Sequence, residues 1–329
     1  MNQPTISVAM SVYNNAPYLA SAIESILAQS FADFEFLIVN DGSSDGSAEI
    51  IDFHAAKDRR IRPIHQPNRG LVASLNLMLE QARAPLIARM DGDDIALPTR
   101  FERQLSFLRA NPDHDVVGTW TRDIDGTGAA RAHASRDQPT SHEAATAQLE
   151  TGNPLCHPSV IMRRDTVLGV GGYHAAYRHC EDYDLWLRLS ERTRLASIPE
   201  RLMLYRHSES QVSSRHILAQ TTGAAIAWLA HVERANGRPD PTEQLAELPP
   251  LDRLDDLFGR PGVGAAVRAK VAASILHSPL ALRNEGYELL LDHVRHGGAR
   301  AGLWRAAGRL VKFGEPGRAL RLAAALATR

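Results

Sequence analysis

The alternation of two hydrophobic periodicities over residues 6–118 constrains the fold of this chain more than any other feature. Short apolar runs rich in β-forming residues alternate with stretches whose apolar residues recur at helical spacing. The runs that read as strands are ISVAMSVYN (6–14), FEFLIVND (34–41), IRPIHQ (61–66) and PLIARMD (85–91). Strands that alternate with helices indicate βαβ units, so the sequence predicts an α/β fold with a mostly parallel sheet.

Three of these predicted strands end in polar residues. The three polar ends are Tyr13-Asn14-Asn15, Asn40-Asp41 and Asp91-Gly92-Asp93-Asp94. In open α/β sheets, ligands bind outside the carboxyl ends of the strands. The sequence therefore predicts a ligand site at this edge of the sheet.

The rest of the chain has a different character. Strand candidates there are DVVGTW, SVIMRR, RLASIPE and RLMLYRH, and EDYDLWLRLSER reads as a helix. After about residue 216 the chain becomes rich in Ala, Leu and Arg at helical spacing. We therefore predict three regions, 1–115, 116–215 and 216–329, the last of them helical.

Composition narrows the class of protein. The formal net charge of −1 gives no global argument for nucleic-acid binding. Two cysteines, Cys156 and Cys180, are too few for a disulfide framework and favour a reducing compartment. The N-terminus lacks the pattern of a signal peptide, and no window resembles a membrane span. These features predict a cytoplasmic protein.

The segment LIARMDGDDIALP (86–98) places three carboxylates within four positions. Asp91, Asp93 and Asp94 repel one another unless a cation neutralises them. Oxygen-only ligands suit Mg²⁺ or Mn²⁺, which could then stabilise a leaving diphosphate. The alternative is a solvated acidic turn in which Asp93 or Asp94 caps the helix that begins near Pro98.

A second acidic turn, NDGSSDGSAEIID (40–52), nearly fits the opening of a calcium-binding loop. Such a loop should follow a helix, whereas FEFLIV is a β-type run. A turn that caps the next helix fits better, and it leaves Asp41 free to meet a ligand.

Four segments in order resemble family 2 glycosyltransferases, the inverting enzymes that use nucleotide-diphospho-sugars. The segments lie at 7–47, 68–108, 153–189 and 204–213, so the resemblance covers roughly the first two-thirds of the chain. It implies a GT-A fold, which is a Rossmann-like, mostly parallel mixed sheet flanked by helices. Residues 1–115 would bind the nucleotide-sugar and residues 116–215 would bind the acceptor and carry the catalytic base.

The resemblance also implies roles for individual residues. Ser11, Tyr13, Asp41 and Asp91 would contact the nucleotide, with Asp41 on the base, which is expected to be uracil. Asp93, helped by Asp91, would bind Mn²⁺ or Mg²⁺, and the role of Asp94 stays open.

On the acceptor side, Glu181-Asp182 matches the family's acidic pair, with Asp182 as the general base that accepts a proton from the acceptor hydroxyl. The plain alternative for this pair is a helix N-terminus, and the two roles are compatible. Trp186 completes the same signature. His157 is expected to be structural or to face the acceptor. Family members often carry Tyr-Arg-x-His, in which the His can bind the metal. Here His207 follows Tyr205-Arg206 with no residue between, so metal ligation and a plain surface position are both open.

The last 35 residues carry eight Lys or Arg against one acid, Glu315. The apolar residues among them could form a basic amphipathic surface at the inner face of a membrane, since family acceptors are glycans that are often lipid-linked. The alternative is a helix packed on the protein with a solvated Arg face. The apolar set is Leu303, Trp304, Leu310, Val311 and Phe313.

Two other functions compete with sugar transfer. A nucleotidyltransferase also uses a parallel sheet with acidic metal ligands, but SVYNNAPYL lacks the glycines and the basic residue that hold a triphosphate. A non-catalytic module that binds calcium or a glycan would bind metal without turning over any nucleotide sugar.

Overall fold

The computed structural model describes residues 3–131, 137–207, 216–276, 278–300 and 302–327. The chain divides into two compact units. The first comprises Met1–His174 and Glu181–Ser208, and the second comprises Ala175–Cys180 and Glu209–Arg329.

The first unit is built on one mixed sheet of eight strands with helices between them. The strands are β1 (Ile6–Val12), β2 (Phe34–Asp41), β3 (Ile61–Gln66), β4 (Leu86–Asp91), β5 (Ile95–Ala96), β6 (His114–Ile124), β7 (Ile161–Arg163) and β8 (Arg194–Arg206). The helices are α1 (Ala16–Leu27), α2 (Ser47–Ala55), α3 (Leu71–Gln81), α4 (Arg100–Ala110), α5 (His142–Leu149), α6 (Arg164–Gly169) and α7 (Glu181–Ser190), with a 3₁₀ turn at His157–Ser159.

The strand order is β3-β2-β1-β4-β7-β6-β8-β5. Strands β1 to β4 pair in parallel, and β7 runs antiparallel to both β4 and β6. The predicted α/β fold of GT-A type, a mixed sheet flanked by helices, is therefore confirmed. Strands β1 and β2 are buried almost throughout, as expected of central parallel strands. Pro63 lies in β3, which is an edge strand and tolerates proline.

The segment 194–206 differs from its prediction. RLASIPE and RLMLYRH are predicted as separate strands, but they form the single strand β8, which contains Pro199. Thr119 on β6 is paired with Ile198 and Trp120 with Arg201, so Pro199 and Glu200 form a bulge. A bulge accommodates a proline that has no N–H to donate to the ladder.

The second unit is helical over its described residues. Its helices are α8 (Ile217–Ala235), α9 (Leu254–Phe258), α10 (Val263–Ile275), α11 (Pro279–Arg283), α12 (Glu285–Arg295), α13 (Leu303–Lys312) and α14 (Pro316–Ala327), with a 3₁₀ turn at Leu251–Arg253. The predicted helical C-terminal region is confirmed. None of the helices in the described part of the chain has both the length and the apolar character that crossing a bilayer requires.

The turn after β2 depends on glycine. Gly42 has a φ of +76°, and a Cβ built there would lie 2.7 Å from the backbone nitrogen of Asn68. We expect Gly42→Ala to lower the free energy of unfolding by ~3 kcal/mol, because left-handed strain and a backbone clash add together. Gly46→Ala is the matched control, since its φ is +88° but its nearest atom is 4.0 Å away. Urea denaturation should show a loss of only ~1 kcal/mol for the control. Equal losses of stability in Gly42→Ala and Gly46→Ala would contradict the expected clash with Asn68.

Candidate active site

Three carboxylates meet at the carboxyl end of β4. Asp91 is the last residue of the strand, and Asp93 and Asp94 lie in the turn that leads to β5. One oxygen of each carboxylate lies within 4.8 Å of the others, the single such group of potential ligands found among the described residues. An oxygen-only set of this kind suits a hard divalent cation.

This acidic turn is only partly solvated, because Asp91 and Asp93 are half-buried and Asp94 is buried. Neither Asp93 nor Asp94 caps helix α4, whose N-cap residue is Thr99, so the alternative interpretation does not hold. Asp94 is 1% exposed, and its Oδ1 accepts a hydrogen bond from the Arg206 amide at 2.8 Å rather than from helix α4. Its Oδ2 is buried and has no hydrogen-bond partner in the described part of the chain. Burial, together with Asp91, raises the pKa of Asp93 to about 6, and burial also raises the pKa of Asp94. Arg89 and Arg206 offset only part of the negative charge of the three carboxylates, and a divalent cation would offset the rest.

Arg89 is a member of the site that the sequence analysis missed. Its side chain is 2% exposed, and its Nη1 lies 2.6 Å from Oδ1 of Asp91. Despite its burial, the pKa of Arg89 is raised by the charge of Asp91 and, more weakly, by that of Glu181. Residues two apart on a strand share a face, so the spacing of Arg89 and Asp91 in the sequence could have indicated that the two side chains meet.

Arg206, at the end of β8, holds the acidic turn from the other side. Its Nε donates to the carbonyl of Asp93 at 2.7 Å, and its Nη1 donates to the carbonyl of Asp125 at 3.1 Å. Together with the hydrogen bond from the Arg206 amide to Asp94, these contacts hold the turn against β8.

The second acidic pair, Glu181 and Asp182, begins helix α7. The interpretation as a helix N-terminus is therefore correct, and it leaves a chemical role available. Burial, together with Asp182, raises the pKa of Glu181 to about 8. Burial also raises the pKa of Asp182, although hydrogen bonds from the Tyr183 amide at 2.7 Å and from Asn153 Nδ2 at 2.5 Å favour its charged form. Both acids thus hold a proton more tightly than usual.

His157 and Trp186 lie behind this pair rather than at the surface. Trp186 has no exposed surface, and its ring packs edge-on against His157 with centroids 5.9 Å apart. His157 Nε2 lies 2.8 Å from the hydroxyl of Tyr173, and burial lowers the pKa of His157. Trp186 is therefore fully buried behind the acidic pair, and its placement on the acceptor side stays a prediction. The structural alternative for His157 agrees with its position.

The predicted nucleotide contacts lie at one edge of the sheet, because β1, β2 and β4 are adjacent and parallel. Ser11 on β1 is in register with Asp91, and Tyr13, just beyond the strand, is 54% exposed. Asp41, which ends β2, is 2% exposed. Its Oδ1 accepts bonds from Gln66 Nε2 and the Arg69 amide at 2.7 and 2.8 Å, and its Oδ2 accepts one from the Gly70 amide at 2.9 Å.

His207 does not join the three carboxylates. It follows β8 directly, and its Nε2 lies 3.1 Å from Oδ2 of Asp123. The group of potential ligands found among the described residues contains Asp91, Asp93 and Asp94 but not His207. A role of His207 in metal binding stays a prediction.

The calcium-loop interpretation of residues 40–52 is wrong. A strand, β2, precedes this turn where a calcium loop needs a helix. Asp45 is occupied by the chain itself, because its Oδ1 accepts bonds from Ser47 and its Oδ2 from the Ala16 amide. Asp52, at the twelfth position, lies 3.0 Å from His65 instead.

A mixed sheet with acidic groups at its strand ends, followed by a second acidic pair on a helix, is the arrangement of a GT-A-type glycosyltransferase. Solved structures with this fold cover nearly the whole chain. S. aureus TarS (residues 1–349) in complex with UDP-GlcNAc superimposes with a TM-score of 0.59 at 14% identity, over 97% of this chain and 90% of TarS. The mannosyltransferase PcManGT from Pyrobaculum calidifontis, in complex with GDP-Man and Mn²⁺, gives 0.52 at 13% identity, over 99% of this chain and 88% of that one.

Sequence comparison defines the family. Residues 7–171 match the model of glycosyl transferase family 2, and the chain belongs to this family. EpsE of Bacillus subtilis (strain 168), named as a glycosyltransferase, is 38% identical over 192 residues, or 57% of this chain and 67% of EpsE. The O-antigen biosynthesis glycosyltransferase WbnJ of Escherichia coli is 32% identical over 214 residues, or 64% of this chain and 82% of WbnJ. The predicted family is confirmed.

Proposed function

We propose that this glycosyltransferase moves a sugar from a UDP-sugar to a hydroxyl of a glycan or lipid-linked acceptor, with inversion, in polysaccharide or glycoconjugate synthesis. The names of EpsE and WbnJ as glycosyltransferases support sugar transfer, and the role of WbnJ in O-antigen biosynthesis supports glycan assembly. The observation that carries the proposal is the group of three carboxylates at the carboxyl end of β4, where the buried Arg89 contacts Asp91 at 2.6 Å. Residues 1–115 bind the donor and residues 116–215 bind the acceptor.

On the donor side, Asp93 and Asp91 hold Mn²⁺ or Mg²⁺. When bound, a divalent ion stabilises the negative charge that develops on the leaving diphosphate. The protein prepares this site by fixing the turn with Arg206 and by keeping one oxygen of Asp94 buried without a partner among the described residues. Mn²⁺ in the complex of PcManGT supports the same choice of ion.

On the acceptor side, Asp182 accepts the proton of the attacking hydroxyl. Its carboxylate is oriented by Asn153, and burial raises its pKa toward the working pH, as general-base catalysis requires. Glu181, with a pKa of about 8, stays protonated at neutral pH, so it does not place a second charge beside the base. A single displacement with one base inverts the anomeric centre and needs no enzyme nucleophile.

The hydrogen bonds of Asp41 favour uracil over guanine as the base. An ionised carboxylate has about four acceptor positions. Gln66, Arg69 and Gly70 occupy three of them, so one remains on Oδ2. Uracil presents a single N3–H to such a position, whereas the corresponding edge of guanine presents two donors. UDP-GlcNAc in the complex of TarS agrees with this preference for uracil, whereas PcManGT, which has the same fold, is in complex with the guanine nucleotide GDP-Man.

A thermal-shift screen of nucleotides and nucleotide sugars tests the proposed donor. We expect UDP and a UDP-sugar to raise the melting temperature only when Mn²⁺ or Mg²⁺ is present, and GDP to raise it less, because ligands that bind the native state stabilise it. A larger shift with GDP would contradict the choice of uracil. A metal-induced shift that no nucleotide increases would instead favour a non-catalytic metal-binding module.

Nucleotidyl transfer is disfavoured by the loop after β1. The amides of Asn14, Asn15 and Ala16 donate to the side chains of Ser43, Ser47 and Asp45 at 3.0, 3.2 and 2.9 Å. These amides are therefore not free to hold a triphosphate, and the Asp45 carboxylate beside them would repel one.

Helix α13 offers a surface for contact with the inner face of an anionic membrane. Leu303 and Leu310 are buried, so the apolar surface is smaller than the sequence predicted. Trp304 and Val311, seven residues apart on one face, are 55% and 57% exposed. Arg305 and Lys312, next to them in sequence, are also exposed. An exposed indole flanked by cations is typical of helices that bind at a lipid headgroup region.

Sedimentation with lipid vesicles tests this membrane contact. The full chain should sediment with vesicles that contain phosphatidylglycerol and not with pure phosphatidylcholine, because the basic residues add attraction to an anionic surface. Trp304→Glu should remove binding, whereas Phe53→Glu, a change of an equally exposed aromatic residue in the first unit, should not. Equal binding by the wild type and Trp304→Glu would exclude this surface.

A further inference from the structure

A cleft lies beside the proposed base. It has a volume of about 700 Å³ and is lined by the end of β6, by α5, by residues 151–153 and 156, and by the chain that leaves β8. This volume is in the range of small-molecule sites. Asn153 lines the cleft and donates to Asp182 Oδ2, so the cleft opens next to the carboxylate that accepts the proton.

The cleft also borders the metal-binding carboxylates. Tyr205 lines it, and the amide of the next residue, Arg206, donates to Asp94 Oδ1 at 2.8 Å. A molecule in the cleft would therefore lie near both the proposed base and the proposed metal-binding carboxylates.

The lining suits hydroxyl groups and offers an anion no unpaired cation. Amide and hydroxyl groups recur in it, including Gln138, Gln148 and Thr151, and the described lining residues include no Lys or Arg. Its two carboxylates are paired within the protein, because Asp123 faces His207 at 3.1 Å and Asp137 faces Arg201 at 2.5 Å. A phosphate or a uronic acid would therefore lose its hydration without gaining an ionic partner.

One acceptor atom in the lining lacks a partner. Gln138 Oε1 is buried and has no hydrogen bond among the described residues, whereas the Gln138 carbonyl accepts one from the indole of Trp120 at 2.8 Å. The backbone contact fixes the residue while its side-chain amide remains available. A buried polar atom without a partner is costly, and a ligand hydroxyl would remove that cost.

We propose that this cleft binds an uncharged sugar residue of the acceptor, with Gln138 as a hydrogen-bond partner, and that any phosphate of a lipid carrier stays outside the cleft. The proposal rests on the proposed function, because it identifies the part of the acceptor that meets Asp182. Asn153 then serves as a positioning residue that joins the cleft wall to the base.

Ligand-observed NMR tests the charge selectivity directly. The probes are methyl glycosides of glucose, galactose and N-acetylgalactosamine, together with methyl glucuronide and glucose 1-phosphate, each added to the full chain with UDP and Mn²⁺. We expect saturable binding of at least one neutral glycoside and at least tenfold weaker binding of both anionic sugars. Equal binding of an anionic sugar, or no saturable binding of any neutral glycoside, would overturn the proposal.

A pair of variants locates the binding in the cleft. Gln138→Leu should weaken the neutral glycoside at least fivefold, because it removes the amide while keeping similar volume. Gln81→Leu, at the exposed end of α3, should leave it unchanged. Unchanged affinity in Gln138→Leu would overturn the assignment. UDP–Mn²⁺ binding, measured in parallel, should be the same in all three proteins, and its absence from the wild type would contradict the proposed function instead.

Discussion

Replacing Asp182 by Asn is expected to reduce kcat for sugar transfer by about 10³-fold, within the range that a general base contributes. An amide has nearly the shape of the carboxylate but cannot accept the proton of the acceptor hydroxyl. The variant should bind UDP and Mn²⁺ as the wild type does, because Asp182 is not among the proposed metal ligands. Steady-state kinetics with a UDP-sugar, together with calorimetric titration of UDP, separates the two effects.

The control for this prediction is Asp165→Asn, which changes an exposed carboxylate at the start of α6 in the same unit. It should leave both kcat and UDP binding unchanged. Transfer by Asp182→Asn at a rate comparable to this control would exclude Asp182 as the base.

Replacing Asp93 by Asn should have the opposite pattern, in which the main loss is in binding of the donor nucleotide. We expect Mn²⁺-dependent affinity for UDP to fall by about 100-fold or more, because even groups that only orient metal ligands are worth 10- to 100-fold. Calorimetric titration of UDP with and without Mn²⁺ measures the change. An undiminished effect of Mn²⁺ on UDP affinity would exclude Asp93 as a ligand.

The same variant has a second readout in the metal-free protein. The pKa of Asp93 is raised from 3.8 to about 6 in the folded chain, chiefly by burial. The folded state therefore binds this proton more tightly than the unfolded state, and the contribution of Asp93 to stability falls as the pH rises through this window. Asp93→Asn should accordingly stabilise the metal-free protein at pH 8 and not at pH 4. Destabilisation at pH 8 would contradict the claim that the folded, metal-free protein disfavours the ionised form of Asp93.

Much of the first unit could be predicted from the sequence, because its central strands are buried on both faces. β1, β2 and β4 carry continuous apolar runs that end in polar residues, and the helix expected near Pro98 is found as α4, which buries Phe101, Leu105 and Leu108 at helical spacing. The short strand β5 was missed because two residues, Ile95-Ala96, give no periodicity. β8 was divided in two because a local rule for proline cannot anticipate a bulge against β6.

The candidate site could be predicted only in part, since sequence patterns identify acids more readily than their partners. The acidic residues fall at strand and helix ends, where a motif marks them. Asn153 and Arg206 act through contacts with residues far away in sequence, Asp182 and Asp94. Arg89 lies only two residues from Asp91, but no motif marks it. The signature also marks Trp186, whose ring is fully buried, so a motif position near the proposed base does not by itself indicate an exposed side chain.

In the proposed mechanism, Asp182 is the base for a single displacement at a nucleotide-sugar whose diphosphate is bound through the metal ion of Asp91 and Asp93. Time-resolved proton NMR of slow hydrolysis of an α-linked UDP-sugar tests it without knowledge of the acceptor, since water then replaces the acceptor hydroxyl. The account predicts that the β-anomer of the free sugar appears first, before mutarotation, and only with Mn²⁺ or Mg²⁺ present. First appearance of the α-anomer would contradict it.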